Sequence, residues 1–132
     1  DAYPAKSEFF MPLTAKKAGL LLRSLEFRVK GYMPGKMRTV LRKYGTTTAL
    51  ADKSIDLVRG YNDVVLDMGS IALEKGVEYQ LYFAAANNFY PPSVEAGWVE
   101  ENDFIDIAHG SAYYDGDTTL IFAGTVVLRE AD

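Results

Sequence analysis

Apolar and polar side chains alternate with a period of two through much of this chain. From Leu20 onward, Leu25, Phe27 and Val29 fall on one face of an extended segment, with Ser24, Glu26, Arg28 and Lys30 on the other. A strand with one buried face has this pattern. Met37, Thr39 and Leu41 alternate with Arg38, Val40 and Arg42 in a second segment that ends at Tyr44. Val64, Leu66 and Met68 alternate with Asp63, Val65 and Asp67 in another. From Val77 to Ala85, Val77, Tyr79, Leu81 and Phe83 share a face opposite Glu78, Gln80 and Tyr82. Turn signals separate these runs: Gly31 to Gly35 with its Pro34-Gly35 pair, Gly60-Tyr61-Asn62-Asp63, and Leu73-Glu74-Lys75-Gly76. Proline presets φ and glycine accepts a positive one. Gly45 to Thr48 reads as a loop, and Ala49 to Val58 as a strand, with a short helix as the alternative.

The two ends are less periodic. Residues 1–19 carry Pro4, Pro12 and Phe9-Phe10 and read as an N-terminal arm or short edge strand that docks through its two phenylalanines. That leaves residues 20–132 as a single domain. Ala86 to Asp103 is the longest irregular segment, Phe104 to Ala108 a short strand, and Gly110 to Asp117 a second polar and aromatic loop. Thr118 to Arg129 closes the chain as a long strand with a bend at Gly124. Seven or eight strands, with turns about every 8–15 residues, predict an all-β protein: an antiparallel β-sandwich, jelly-roll-like.

Composition narrows the function. A chain of 132 residues fits one domain, and 48% hydrophobic with 24% charged residues excludes disorder. No apolar run approaches the roughly 18–20 residues of a membrane-spanning helix, so no membrane insertion is expected. The absence of cysteine excludes disulfides and thiolate chemistry, and His109 is the single histidine. A net charge of −4 argues against a general nucleic-acid binder. Asp1 to Pro12 lacks the basic and long apolar regions of a signal peptide and reads as the start of a mature chain or of an excised domain.

Catalytic chemistry finds little support. His109, Ser111 and Asp106 could be imagined as a triad, but a Gly-x-Ser-x-Gly elbow is missing and the three lie too close together in sequence. Glu95, Glu100, Glu101, Asp103 and Asp106 could supply the two carboxylates of a glycosidase, which stand roughly 5–10 Å apart. Solvated loop carboxylates are the plainer reading, and a non-catalytic protein is expected. Asp115-Gly116-Asp117 and Asn102-Asp103 offer the oxygen ligands calcium takes, yet the full calcium-loop pattern is absent and Asp-Gly-Asp suits a hairpin turn. No cofactor is expected, with a structural calcium as the alternative. Arg38, Arg42 and Lys43, with Lys36 nearby, form either a solvated face, a charge-protected edge strand or a contact for an anion.

The aromatic residues carry more information. Nine tyrosines, seven phenylalanines and one tryptophan make up 13% of the chain, and Tyr61, Phe89, Tyr90, Trp98, Tyr113 and Tyr114 fall in expected loops. A flat ring covers the apolar face of a sugar while amides and carboxylates take its hydroxyls. Trp98, Tyr90, Tyr113 and Tyr114 are therefore candidate stacking residues, and Asn87, Asn88 and Asp103 candidate polar contacts. The same rings also serve protein interfaces, or cap the ends of a sandwich.

Leu25-Glu26-Phe27-Arg28-Val29 and Leu73-Glu74-Lys75-Gly76-Val77-Glu78-Tyr79-Gln80-Leu81 together resemble the extracellular jelly-roll or fibronectin-like modules of phage fibres and bacterial surface proteins. Gly76 matches the turn glycine of that phrase and Tyr79 its buried aromatic. The resemblance implies a non-catalytic module at an extracellular or virion surface, often a homo-oligomer, that adheres to a carbohydrate or cell-surface polymer. It also admits a structural virion component, a capsid decoration protein or fibre head, that uses the aromatics on capsid or fibre neighbours. The phrase carries no binding residue.

Overall fold

A computed structural model of the chain describes residues 6–90, 93–95, 103–106, 120–122 and 124–131. Among the described residues ten strands follow in order: β1 (Lys6–Ala15), β2 (Leu20–Gly31), β3 (Gly35–Lys43), β4 (Ala51–Leu57), β5 (Gly60–Leu73), β6 (Glu78–Tyr90), β7 (Ser93–Glu95), β8 (Ile105–Asp106), β9 (Leu120–Phe122) and β10 (Gly124–Glu130). The described strand pairings are all antiparallel. β2 lies between β10 and β5 to form one layer, while β6 lies between β1 and β3, with β8 beyond β1 and β4 beyond β3, to form the other. The layers join at one corner, where Lys30 and Gly31 of β2 pair with Tyr90 and Phe89 of β6. β7 and β9 form a separate two-stranded sheet. The protein is an antiparallel β-sandwich, as the alternation predicts.

The core is the set of inward positions from both layers. Leu22, Leu25, Phe27 and Val29 of β2 and Val64, Leu66 and Met68 of β5 face Met11 and Leu13 of β1, Met37 and Leu41 of β3, and Tyr79, Leu81 and Phe83 of β6. Phe27 meets Phe83 edge to face across the interior, with ring centroids 5.4 Å apart. That geometry sets the positive rim of one ring against the negative face of the other. Thr39 shares the inward face of β3 and is 1% exposed, and its hydroxyl has no hydrogen-bond partner among the described residues. A desolvated, unpaired hydroxyl is costly, so Thr39→Val should raise the unfolding free energy by about 1 kcal/mol in denaturant titrations. A loss of stability would mean that the hydroxyl is paired.

The turn before β6 folds as its residues require. Gly76 has a φ of 78°. Tyr79, wholly buried, reaches back so that its hydroxyl oxygen accepts the Glu74 N–H at 2.9 Å. This is a tyrosine corner, a device of Greek-key sandwiches that pins the crossing between layers.

Several boundaries differ from the sequence reading. Residues 1–19, read as an arm or short edge strand, contain β1, which lies between β6 and β8, with Met11, Leu13 and Ala15 buried and Phe10 packed against Tyr82 on the outer surface, centroids 4.6 Å apart. Gly60 to Asp63, read as a turn, opens β5, because Asn62 replaces a turn hydrogen bond with side-chain ones. Its Oδ1 accepts the Val58 N–H at 2.9 Å, and its Nδ2 donates to the carbonyls of Val58 and Gly60, each at 3.0 Å. Gly31, read as part of a turn, ends β2. β6 continues to Tyr90, so Asn87, Asn88, Phe89 and Tyr90 belong to a strand rather than a loop. Phe89 is a core residue with no exposed surface. β3 is flanked on both sides, so its cations do not guard an edge.

Candidate functional site

The outer face of the β10–β2–β5 layer is the feature of interest. Tyr61 stands on β5 with 61% of its surface exposed. The Arg28 guanidinium lies 5.4 Å from the ring centroid and the Lys30 ammonium 5.5 Å. Both cations come from β2, one strand over, where Lys30 pairs with Tyr61 and Arg28 with Asp63. Arg28 donates from Nε to Asp63 Oδ1 at 2.8 Å and from Nη2 to Oδ2 at 3.4 Å. These hydrogen bonds, with the attraction between the charges, hold the Asp63 carboxyl below the usual carboxylate range and raise the guanidinium. Asp63 therefore orients Arg28 beside the ring. A tyrosine on a paired strand, with its neighbouring turn clamped by Asn62, is a firmer contact than one on a free loop.

Apolar side chains surround this end of the sandwich. Tyr32 and Met33 follow β2, Val58 precedes β5, and all three are exposed. Four positions along β5 from Tyr61, Val65 is also solvent-facing. Exposed aromatic and aliphatic groups beside cations suit contact with a surface that is itself part apolar and part polar.

Tyr90 reaches this end by register: Lys30 pairs with Tyr61 on one side and Tyr90 on the other. Asn87 and Asn88 precede it on β6, where the register with β1 shifts between Glu8↔Ala84 and Lys6↔Phe89. Asp103 lies elsewhere. It is exposed just before β8, which pairs with Thr14 and Ala15 at the other end of β1, roughly 25 Å along the strand from Lys6. The expected site therefore divides, because Asp103 belongs to the opposite end from Tyr90. Trp98, Tyr113 and Tyr114 fall outside the described residues, as do Glu100, Glu101, His109, Ser111 and Asp115 to Asp117. Among the described residues no group of three His, Asp or Glu side chains could hold a metal ion, and no helix is long and apolar enough to cross a membrane.

The basic cluster of β3 is engaged within the protein. Arg38 donates to both oxygens of Asp52, at 2.8 and 2.6 Å, and Arg42 donates twice to Gln80 Oε1, at 3.2 and 3.0 Å. Lys36 pairs with Asp56 and Lys43 with Glu74, each at 2.9 Å. The Arg38 hydrogen bonds hold Asp52 below the usual carboxylate range. Behind them, burial and a hydrogen bond donated to Glu8 push the Tyr82 hydroxyl up. Carboxylates on β4 thus satisfy Lys36 and Arg38, while Gln80 of β6 and Glu74 in the turn before it take Arg42 and Lys43. Alternation within β3 alone could not reveal these partners.

Comparison with known protein families, with curated proteins and with solved structures finds no match to this chain. Function has to be argued from the geometry of its own surface.

Proposed function

We propose that this chain is a non-catalytic recognition module, displayed on a phage fibre or bacterial surface protein at an extracellular or virion surface, that binds carbohydrate. The observation that carries the reading is Tyr61, an exposed ring on a rigid strand with cationic side chains and a carboxylate beside it. The ring can cover the C–H face of a sugar, and Arg28, Lys30 and Asp63 can take its hydroxyls. Tyr90, Asn87 and Asn88 extend from the same end, and Trp98 follows Tyr90 closely in sequence. Such a site needs no cofactor.

The test is a glycan and cell-wall polysaccharide array probed with the wild-type protein, Tyr61→Ala and Trp98→Ala. Tyr61→Ala should weaken binding at least about tenfold with an unchanged melting temperature, since truncating a central aromatic contact typically costs more than 1 kcal/mol. Equal binding by wild type and Tyr61→Ala would remove Tyr61 from the site. Exposed Met33 and Val65 favour a second reading, in which this surface meets protein neighbours in a capsid or fibre. Silence across the array, with a closed oligomer in light scattering, would favour that reading.

A further inference from the structure

Alternation along β2 breaks once. Leu20 and Leu22 point into the core and so does Leu25, which leaves Arg23 and Ser24 between two inward residues. β5 slips at the same level, where its inward set of Val64, Leu66 and Met68 gives way to Leu73. The register accordingly jumps from Leu22↔Ile71 to Ser24↔Asp67, and on the other side from Leu22↔Leu128 to Ser24↔Val127. Arg23 is thus an extra residue against β10, whereas on the other side β5 bulges, with Met68, Gly69 and Ser70 opposite the single Arg23. A bulge disrupts the ladder and redirects a side chain, and bulges recur beside functional sites.

A depression of about 500 Å³ lies over this point, lined by Arg23, Ser24, Val65, Asp67, Val127, Leu128 and Arg129. Its two arginines come from adjacent strands. Neither has an ion-pair partner among the described residues, whereas Arg28, Arg38, Lys17, Lys36 and Lys43 each have a carboxylate. The one acid in the depression, Asp67, turns Oδ1 to the Gly69 N–H at 2.8 Å. Two guanidinium groups and a hydroxyl around an open hollow match a planar or tetrahedral oxyanion, which arginine binds through paired N–H donors.

We propose that this depression is an oxyanion subsite, and that the carbohydrate recognised by this face is acidic, carrying carboxylate, sulfate or phosphate groups. The inference rests on the carbohydrate reading above for its ligand, but on different residues. Tyr61 and Asp67 are six positions apart on β5, roughly 20 Å at the rise of a strand, so one extended polymer can lie along the face and reach both.

The experiment compares polygalacturonate and dextran sulfate with neutral dextran, and inorganic sulfate and phosphate alone. Each is titrated into the wild-type protein, Arg23→Gln/Arg129→Gln and Tyr61→Ala while backbone amide NMR shifts are followed. Acidic polymers should perturb Arg23, Ser24 and Arg129 and bind at least about tenfold more tightly than neutral dextran. The double variant should lose that advantage while keeping its melting temperature, because both arginines are exposed. Shifts at these residues with inorganic sulfate or phosphate alone, and no polymer binding, would support the oxyanion site and overturn the carbohydrate reading. Binding of a neutral polymer that depends on Tyr61, with no gain from acidic groups, would leave the carbohydrate reading standing and overturn this one. Acidic-polymer binding unchanged in the double variant would also overturn it.

Discussion

Phe83→Ala is expected to lower the unfolding free energy by about 3–5 kcal/mol, a large share of the stability of a domain this size. Phe83 is wholly buried, central on β6, and is the ring that Phe27 approaches across the interior. Truncation removes the transfer energy of the ring, leaves a cavity where the layers meet and abolishes the edge-to-face pair. The check is a denaturant titration in which the midpoint falls with little change in slope. Phe10→Ala is the matched control. Phe10 packs on Tyr82 outside the core and is only half buried, so its loss should cost about 1 kcal/mol. Equal losses for the two variants would mean that the interior is not the space between these layers.

The second large effect concerns a residue with no side chain. At Gly31 a Cβ would run into the carbonyl oxygen of Val58. That oxygen belongs to backbone and cannot swing aside, because the Asn62 amide holds both the N–H and the carbonyl of Val58. Gly31→Ala should therefore cost about 3 kcal/mol, the upper part of the range for overpacked sites. Gly45→Ala has open space around it but a φ of 81°, so its cost should be smaller, about 1–2 kcal/mol from backbone strain alone. In an Asn62→Ala background the Val58 carbonyl can yield, and Gly31→Ala should then cost less. A Gly31→Ala protein within 0.5 kcal/mol of wild type (about the scatter of a harmless surface change) would refute the close approach.

Much of the fold was legible because strands with one buried face write their orientation into the sequence. Met37, Thr39 and Leu41 point inward as their spacing predicts, and Tyr79, Leu81 and Phe83 form the buried face of β6. Gly76 and Tyr79 mark the crossing before it for a physical reason, a positive φ and a hydroxyl that reaches back. Gly31 and Asn62 misled because glycine and asparagine serve equally for turns, for close approach and for side-chain hydrogen bonds to backbone. Only the third dimension distinguishes these uses.

The candidate site was harder to read. Tyr61 was one of several aromatics in expected loops, and only its place on a strand and the partners brought from β2 set it apart from them. Phe89 resembled its neighbours in composition and is core. The depression at Arg23 did leave a trace, the step from Leu22 to Leu25 where the inward spacing lengthens from two to three. A second slip follows Met68 on β5, and strand pairing is needed to see that the two coincide.

The position of β1 bears on how the chain is made. Its partner β6 begins more than sixty residues later, at Glu78, so during synthesis Met11 and Leu13 emerge long before the strand that will cover them. At about 5–20 residues per second the wait is roughly 3–13 s. For that interval the nascent protein presents an apolar strand with an unmatched edge. Slowing translation between β2 and β6 would lengthen this exposure and favour aggregation, whereas slowing it after Tyr90 would not.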